Sequence, residues 1–331
     1  MKALIQKLVE TTGPSGYESQ VRDLVRTEVQ GVADEVRVDP MGSLIVRKGQ
    51  KSPQGLRLMM SAHMDEIGII ATHIDEKGFI RFTTIGGVRP YTCIGGRVRF
   101  LNGARGIIHS ERLETNDKIP TFEQLYIDIG ISSPQESAVR VGDVACFERP
   151  FMDLGDRLVS KAMDDRIGVA VLVEALKQVK STPNELFFVF STQEEVGLRG
   201  ATAAAYGVDP DLGFSVDVTL TGDTPKGLRM EVGLGKGPAI KVRDSSLLAD
   251  PRVVNWMVEG ARRLKIPFQY EILEAGGTDA QAIQLTRMGV PAGCISIPCR
   301  YVHSPSEMVD YRDVQQAVQL IVELVSNPIK L

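Results

Sequence analysis

The sequence predicts an α/β fold, a mixed sheet flanked by helices, with an all-β, barrel-like domain inserted into it. Three observations predict this. Strand-like and helix-like periods alternate at both ends of the chain. Between Ile67 and about Phe151 the chain instead breaks into short β-runs at glycine turns, with no helix-period segment among them. Finally, Leu186 to Phe190 is continuously apolar, the pattern of a strand covered on both faces of a sheet. The expected units are therefore a discontinuous α/β domain, residues 1–66 and 155–331, and an inserted β-domain, residues 67–154.

Taken in order, Ser15 reads as the cap of a helix starting near Tyr17, with Val21, Leu24, Val25 and Val29 on one face. Two strands, Glu35 to Asp39 and Ser43 to Lys48, flank a Pro40-Met41-Gly42 turn, and Leu56 to Ala62 is an apolar strand. The insert supplies six β-runs: Ile67 to Ile74, Phe79 to Thr83, Arg97 to Leu101, Gly106 to His109, Leu125 to Ile129 and Asp143 to Phe147. Alternation returns at Leu158. A helix from Arg166 to about Val179, the strand ending at Glu194, a helix over Gly200 to Tyr206 and a strand from Leu212 to Val218 follow. Next come a helix from Pro251 to Leu264, strands at Phe268 to Leu273 and Pro291 to Ile297, and a last helix capped by Asp310.

Composition excludes several classes. Of 331 residues, 43% are hydrophobic and 24% charged, as in ordinary globular proteins. A net charge of −4 without a dense basic run gives no reason to expect a nucleic-acid partner. No apolar stretch is long enough to cross a bilayer, and no secretory h-region follows the first residues, so the expected location is the cytoplasm. Cys93, Cys146, Cys294 and Cys299 lack metal-site spacing and read as buried small hydrophobes. His73 and His109, within the β-runs of the insert, read as structural or surface residues.

Metal-ligand chemistry occurs at five strand ends or following loops: His63-Met64-Asp65, Asp164-Asp165, Glu194-Glu195, Asp217 and His303. Residues two apart on extended backbone share a side, so Asp65 can accept a hydrogen bond from the His63 ring nitrogen not used for metal. Neighbours on such backbone point apart, so Glu194 and Glu195 should have different partners. Two imidazoles and three carboxylates can hold two divalent ions if one carboxylate bridges them. Asp164, Glu195, Asp217 and one hydroxide balance the four positive charges, and Glu194 is left unassigned where a hydrolase needs a general base. Ligation without cysteine suits hard-to-borderline metals, so cobalt and manganese can replace zinc. Gly277, Thr278 and Asp279 lie in a loop that opens a helix, placed either for substrate contact or simply as a turn and N-cap.

Together with Ala62 to Gly68, Lys161 to Arg166, Gly276 to Ala280 and Ile297 to Pro305, this ordered set resembles the M42 family of metallo-aminopeptidases, which includes the glutamyl and tetrahedral aminopeptidases. Ile85-Gly86-Gly87 and Leu125 to Gly130 are similar as well, so the resemblance covers nearly the whole chain without departure at a ligand position. It implies a zinc-peptidase-like sheet, with His63 and Asp217 on one metal, Glu195 and His303 on the other, and Asp164 bridging. Glu194 would be base and proton shuttle, Asp65 would stand behind His63, and the Asp164-Asp165 bond would be cis. It also implies zinc or cobalt as cofactor and peptides with a free N-terminus as substrates. The inserted domain would join dimers, six of which build a hollow tetrahedral dodecamer in that family, where smaller assemblies also occur.

Two other hydrolases compete. An M20-like carboxypeptidase or N-deacylase would carry its smaller, α+β domain after the glutamate pair, whereas this insert precedes Asp164 and reads all-β. A glycosidase, as in endoglucanase-labelled relatives, needs paired carboxylates but neither two histidines nor a bridging aspartate.

Overall fold

The computed structural model describes residues 1–113 and 118–331. Helices α1 (Lys2–Glu10) and α2 (Ser19–Glu28) bury Leu4, Ile5, Leu8, Val9, Val21 and Val25. Strands β1 (Glu35–Val38), β2 (Leu44–Lys48) and β3 (Arg57–His63) follow. The insert contributes β4 (Gly68–Ile74), β5 (Ile80–Ile85), the short α3 (Pro90–Cys93), β6 (Arg97–Phe100), β7 (Arg105–Ser110), β8 (Leu125–Asp128) and β9 (Val144–Phe147). After β10 (Met152–Asp153) and β11 (Arg157–Ser160) the alternation resumes with α4 (Met163–Gln178), β12 (Glu185–Ser191), α5 (Arg199–Val208) and β13 (Leu212–Thr219). The chain ends with β14 (Ala239–Arg243), α6 (Pro251–Leu264), β15 (Gln269–Ile272), α7 (Asp279–Gln284), β16 (Ala292–Arg300), β17 (Glu307–Asp310) and α8 (Tyr311–Ser326).

Eleven strands form one mixed sheet. Its main path runs β1-β2-β12-β3-β13-β16-β17-β11-β10, and β14 joins at β16 with β15 beside it. The central strands β12, β3, β13 and β16 are parallel. Alternate side chains of β12 enter different cores, which is why its sequence is apolar throughout. Leu186, Phe188 and Phe190 join the large core that includes α4 and α8, while Phe187 and Val189 meet Ala204 and Ala205 of α5 and Ile283 of α7. Helix α4 is buried along nearly its whole length and so shows little amphipathic pattern.

The six runs read from the insert form a closed antiparallel barrel, β4-β5-β8-β7-β6-β9. It has its own core, built from inward residues such as Ile69, Phe82, Val98, Phe100, Ile108 and Ile127. The four cysteines are buried and free. His73 and His109 are exposed on the barrel. Among the described residues, no helix is long and apolar enough to cross a membrane.

One expectation needs correction, and two strands were missed. Ser15 is not a helix cap: α2 starts at Ser19 after Glu18, and the Ser15 hydroxyl instead donates to Asp65 at 2.6 Å. Strand β14 was not legible because buried Lys241 interrupts its apolar run. Strand β17 was hidden by Glu307 and Asp310, two buried carboxylates in four residues.

Candidate metal centre

Register brings the first residues together. In the parallel pair β12–β3, Ser191 lies opposite His63, so the loop after β12 leaves the sheet beside His63. On the other side of β3, Ser215 of β13 pairs with Ser61, which puts Asp217 level with His63. Asp164 enters from the opening of α4. There the Asp164-Asp165 peptide is cis, both residues are non-helical, and the regular helix starts beyond them. Asp165 fixes this corner by accepting the N–H of His63 at 3.2 Å and that of Gly168 at 3.1 Å. His303 comes from the loop between β16 and β17.

All five expected ligands meet. Asp164 Oδ1 lies 3.0 Å from His63 Nε2, and Asp164 Oδ2 lies 3.3 Å from His303 Nε2. Glu195 Oε2 is 3.2 Å from His303 Nε2, and Asp217 Oδ1 is 4.0 Å from His63 Nε2. They form two donor groups, His63/Asp164/Asp217 and Asp164/Glu195/His303, each with its ligand atoms within 4.8 Å of one another. Glu194 belongs to neither group; its Oε2 stands 3.9 Å from His63 Nε2.

Asp65 is fully buried behind His63. His63 Nδ1 is 3.1 Å from the Asp65 carbonyl oxygen and 3.5 Å from Asp65 Oδ1. Both are acceptors, so Nδ1 carries a proton toward Asp65 while Nε2 faces the carboxylates. Asp65 also accepts the N–H groups of Glu194 at 3.0 Å and Glu195 at 3.1 Å. Glu18 accepts that of Gln193 at 3.0 Å, so two buried carboxylates hold three successive amides of the turn.

The electrostatics favour cations. Burial raises the carboxyl pKa of Glu194 and Asp217 well above the usual range; facing carboxylates add to it, Asp217, Glu195 and Asp279 at Glu194, and Asp164 and Asp279 at Asp217. Burial and the charge of Asp164 raise Glu195 too. Burial opposes charge on His63 and His303, yet the carboxylates around them outweigh it, lifting His303 to about 11. Burial likewise opposes charge on Asp164, but hydrogen bonds from both histidines hold its carboxyl well below normal. Glu195 Oε1 is buried without a hydrogen-bond partner. Borderline donors, clustered negative charge and an orphaned carboxylate oxygen fit divalent ions.

Thr278 and Asp279 turn inward. Thr278 Oγ1 is 3.1 Å from the hydroxyl of Ser215, midway along β13, and Asp279 accepts the hydroxyl of Ser191, at the end of β12, at 2.5 Å. Gly277 is exposed. Glu18 and Glu307 carry contacts that were not read from the sequence. Glu307 accepts the N–H of Asp164 at 3.0 Å and of His303 at 2.8 Å; burial and the charge of Asp164 push its carboxyl up to about 8. Its place four residues after His303 was the one available signal. The barrel also reaches the centre, since a Cβ on Gly87 would collide with the His303 ring and one on Gly86 would crowd Glu195.

The sequence pattern of the M42 glutamyl aminopeptidases matches residues 42–320. The chain belongs to the M42 peptidase family. A provisionally named aminopeptidase of Acetivibrio thermocellus is 48% identical to this M42 peptidase over 97% of each chain. Among solved structures, an aminopeptidase of the archaeon Desulfurococcus kamchatkensis superposes with a TM-score of 0.94, at 40% identity over 98% of this chain and 94% of that one. The TET1 peptidase of Pyrococcus horikoshii, which assembles into a tetrahedron or a large octahedral shell, gives a TM-score of 0.89 at 31% identity over 98% of each chain. This M42 chain is thus a metal-dependent peptide hydrolase of the aminopeptidase class.

Proposed function

We propose that the chain releases single residues from free peptide N-termini at a centre of two divalent ions. One observation carries this reading: Asp164 belongs to both donor groups, with one oxygen toward His63 and the other toward His303. His63 and Asp217 complete the set for one ion, and Glu195 and His303 that for the other. When bound, such a pair polarises the scissile carbonyl and makes water more acidic.

The rest falls to side chains of the chain. Glu194, half-buried and outside both donor groups, accepts the proton of the attacking water and returns it to the leaving amine. Asp65 fixes the His63 tautomer and holds the amides of the turn that carries Glu194. Of the loop 277–279, only the exposed Gly277 remains open to substrate. Zinc or cobalt fits the donors, with manganese as a substitute. The chain assembles with its own copies, from dimers up to a tetrahedral shell, and the inserted domain 67–154 provides the dimer contact. We place the activity in the cytoplasm.

The test is hydrolysis of aminoacyl-p-nitroanilides, with free and acetylated α-amines, by chelated protein before and after addition of zinc, cobalt or manganese. Activity on free amines that vanishes on chelation and returns with metal is expected. Equal cleavage of acetylated substrates, or full activity after chelation, would contradict the reading.

A further inference from the structure

Resting on this two-ion reading, we propose that Glu307 is a positioning residue that holds Asp164 and His303, two ligands of one donor group, together through their backbones. It is 1% exposed and opens β17. Its two carboxylate oxygens are used separately: Oε1 accepts the N–H of His303 at 2.8 Å, and Oε2 that of Asp164 at 3.0 Å. These amides belong to the shared ligand and to a ligand of one group only, on segments 139 residues apart in sequence (303 − 164). His303 has φ +61, a left-handed conformation uncommon for a non-glycine residue. Asp164 is equally irregular, with φ −74 and ψ 107 at the head of α4. A single carboxylate therefore links two backbones that are both irregular at these points.

Only a carboxylate of this length does both. A glutamine offers one oxygen and turns an NH₂ toward the other amide, donor against donor. An aspartate keeps the charge, but one methylene shorter it reaches one amide and not both. Either change loosens His303 relative to Asp164, and supporting contacts of this kind are typically worth about 10–100-fold in metal affinity.

The experiment strips full-length wild type, Glu307→Gln and Glu307→Asp with chelator and titrates each with cobalt(II). Visible absorption and the count of bound ions are followed, and circular dichroism melts of the metal-free proteins verify folding. Wild type should take up two ions. The variants should be folded, bind the second ion about 10–100-fold more weakly and show an altered cobalt band. If Glu307→Gln does not fold, Glu307→Asp decides. Variants that bind both ions as tightly as wild type, with the same band, would overturn the proposal. Wild type that binds fewer than two ions would overturn the two-ion reading itself, and this inference with it.

Discussion

The Asp65 carboxylate accepts the backbone N–H of Glu194 at 3.0 Å, so the group behind a proposed metal ligand also holds the segment bearing the proposed base. The same carboxylate takes the N–H of Glu195 and the hydroxyl of Ser15. Asp65→Asn replaces one acceptor oxygen with a donor in a pocket of donors. We expect kcat to fall about 10–100-fold, with weaker metal retention and an unchanged circular dichroism spectrum. Turnover and metal content, measured together, check this; normal values for both would remove Asp65 from the site.

Gly87 couples the barrel to the centre. Its φ is not left-handed, so Gly87→Ala acts through volume alone, driving a methyl group into the His303 imidazole. A ligand displaced by about 1 Å can cost about 10²-fold in rate. Gly207→Ala, on α5 with open space around its Cβ, is the matched control and should be neutral. Equal kcat in the two variants would show that His303 tolerates the displacement.

Arg166 is fully buried and donates to four carbonyls, those of Leu8, Thr11, Gly13 and Met64, and pairs with Glu66 at 3.4 Å. It thereby fastens the N-terminal segment to the loop after β3. Arg166→Met leaves those acceptors without their donor, and a loss of about 3–5 kcal/mol is expected. Urea unfolding of the metal-loaded protein measures it; an unchanged midpoint would contradict the assignment.

The barrel has a core separate from that of the sheet and joins it next to residues 66–68 and 147–152. Replacing residues 67–153 by a short Gly/Ser linker should leave a folded chain of lower assembly order and low activity. Light scattering provides the check. An unchanged oligomer would give the insert another role.

Much of this was legible because the physics was local. The run Leu186 to Phe190 had to be a strand covered on both faces, and the six β-runs of the insert carried their own glycine turns. Chemistry at strand ends was readable wherever the strand itself was readable, as for His63 and Asp217. Glu18, Glu307 and the true partner of Ser15 were not, because each acts on a backbone amide or carboxylate far away in sequence. No periodicity records such contacts. For Thr278 and Asp279 the sequence left two readings open, substrate contact or an N-cap; Thr278 is the N-cap of α7, and both side chains bond to serines of β12 and β13.

The adjacent glutamates offer the most direct test of the centre. Glu195 contributes to a donor group and Glu194 does not. Glu195→Gln exchanges an anionic ligand for a neutral one, so metal content should drop and activity should partly return at high metal concentration. Glu194→Gln should keep two ions and a near-normal KM while losing about 10²–10⁴-fold in kcat. The deciding measurement is metal content beside kcat for both variants in one buffer. A metal-replete, inactive Glu194→Gln beside a metal-depleted Glu195→Gln is the predicted result. Metal loss in Glu194→Gln with full retention in Glu195→Gln, or near-normal turnover in Glu194→Gln, would contradict it.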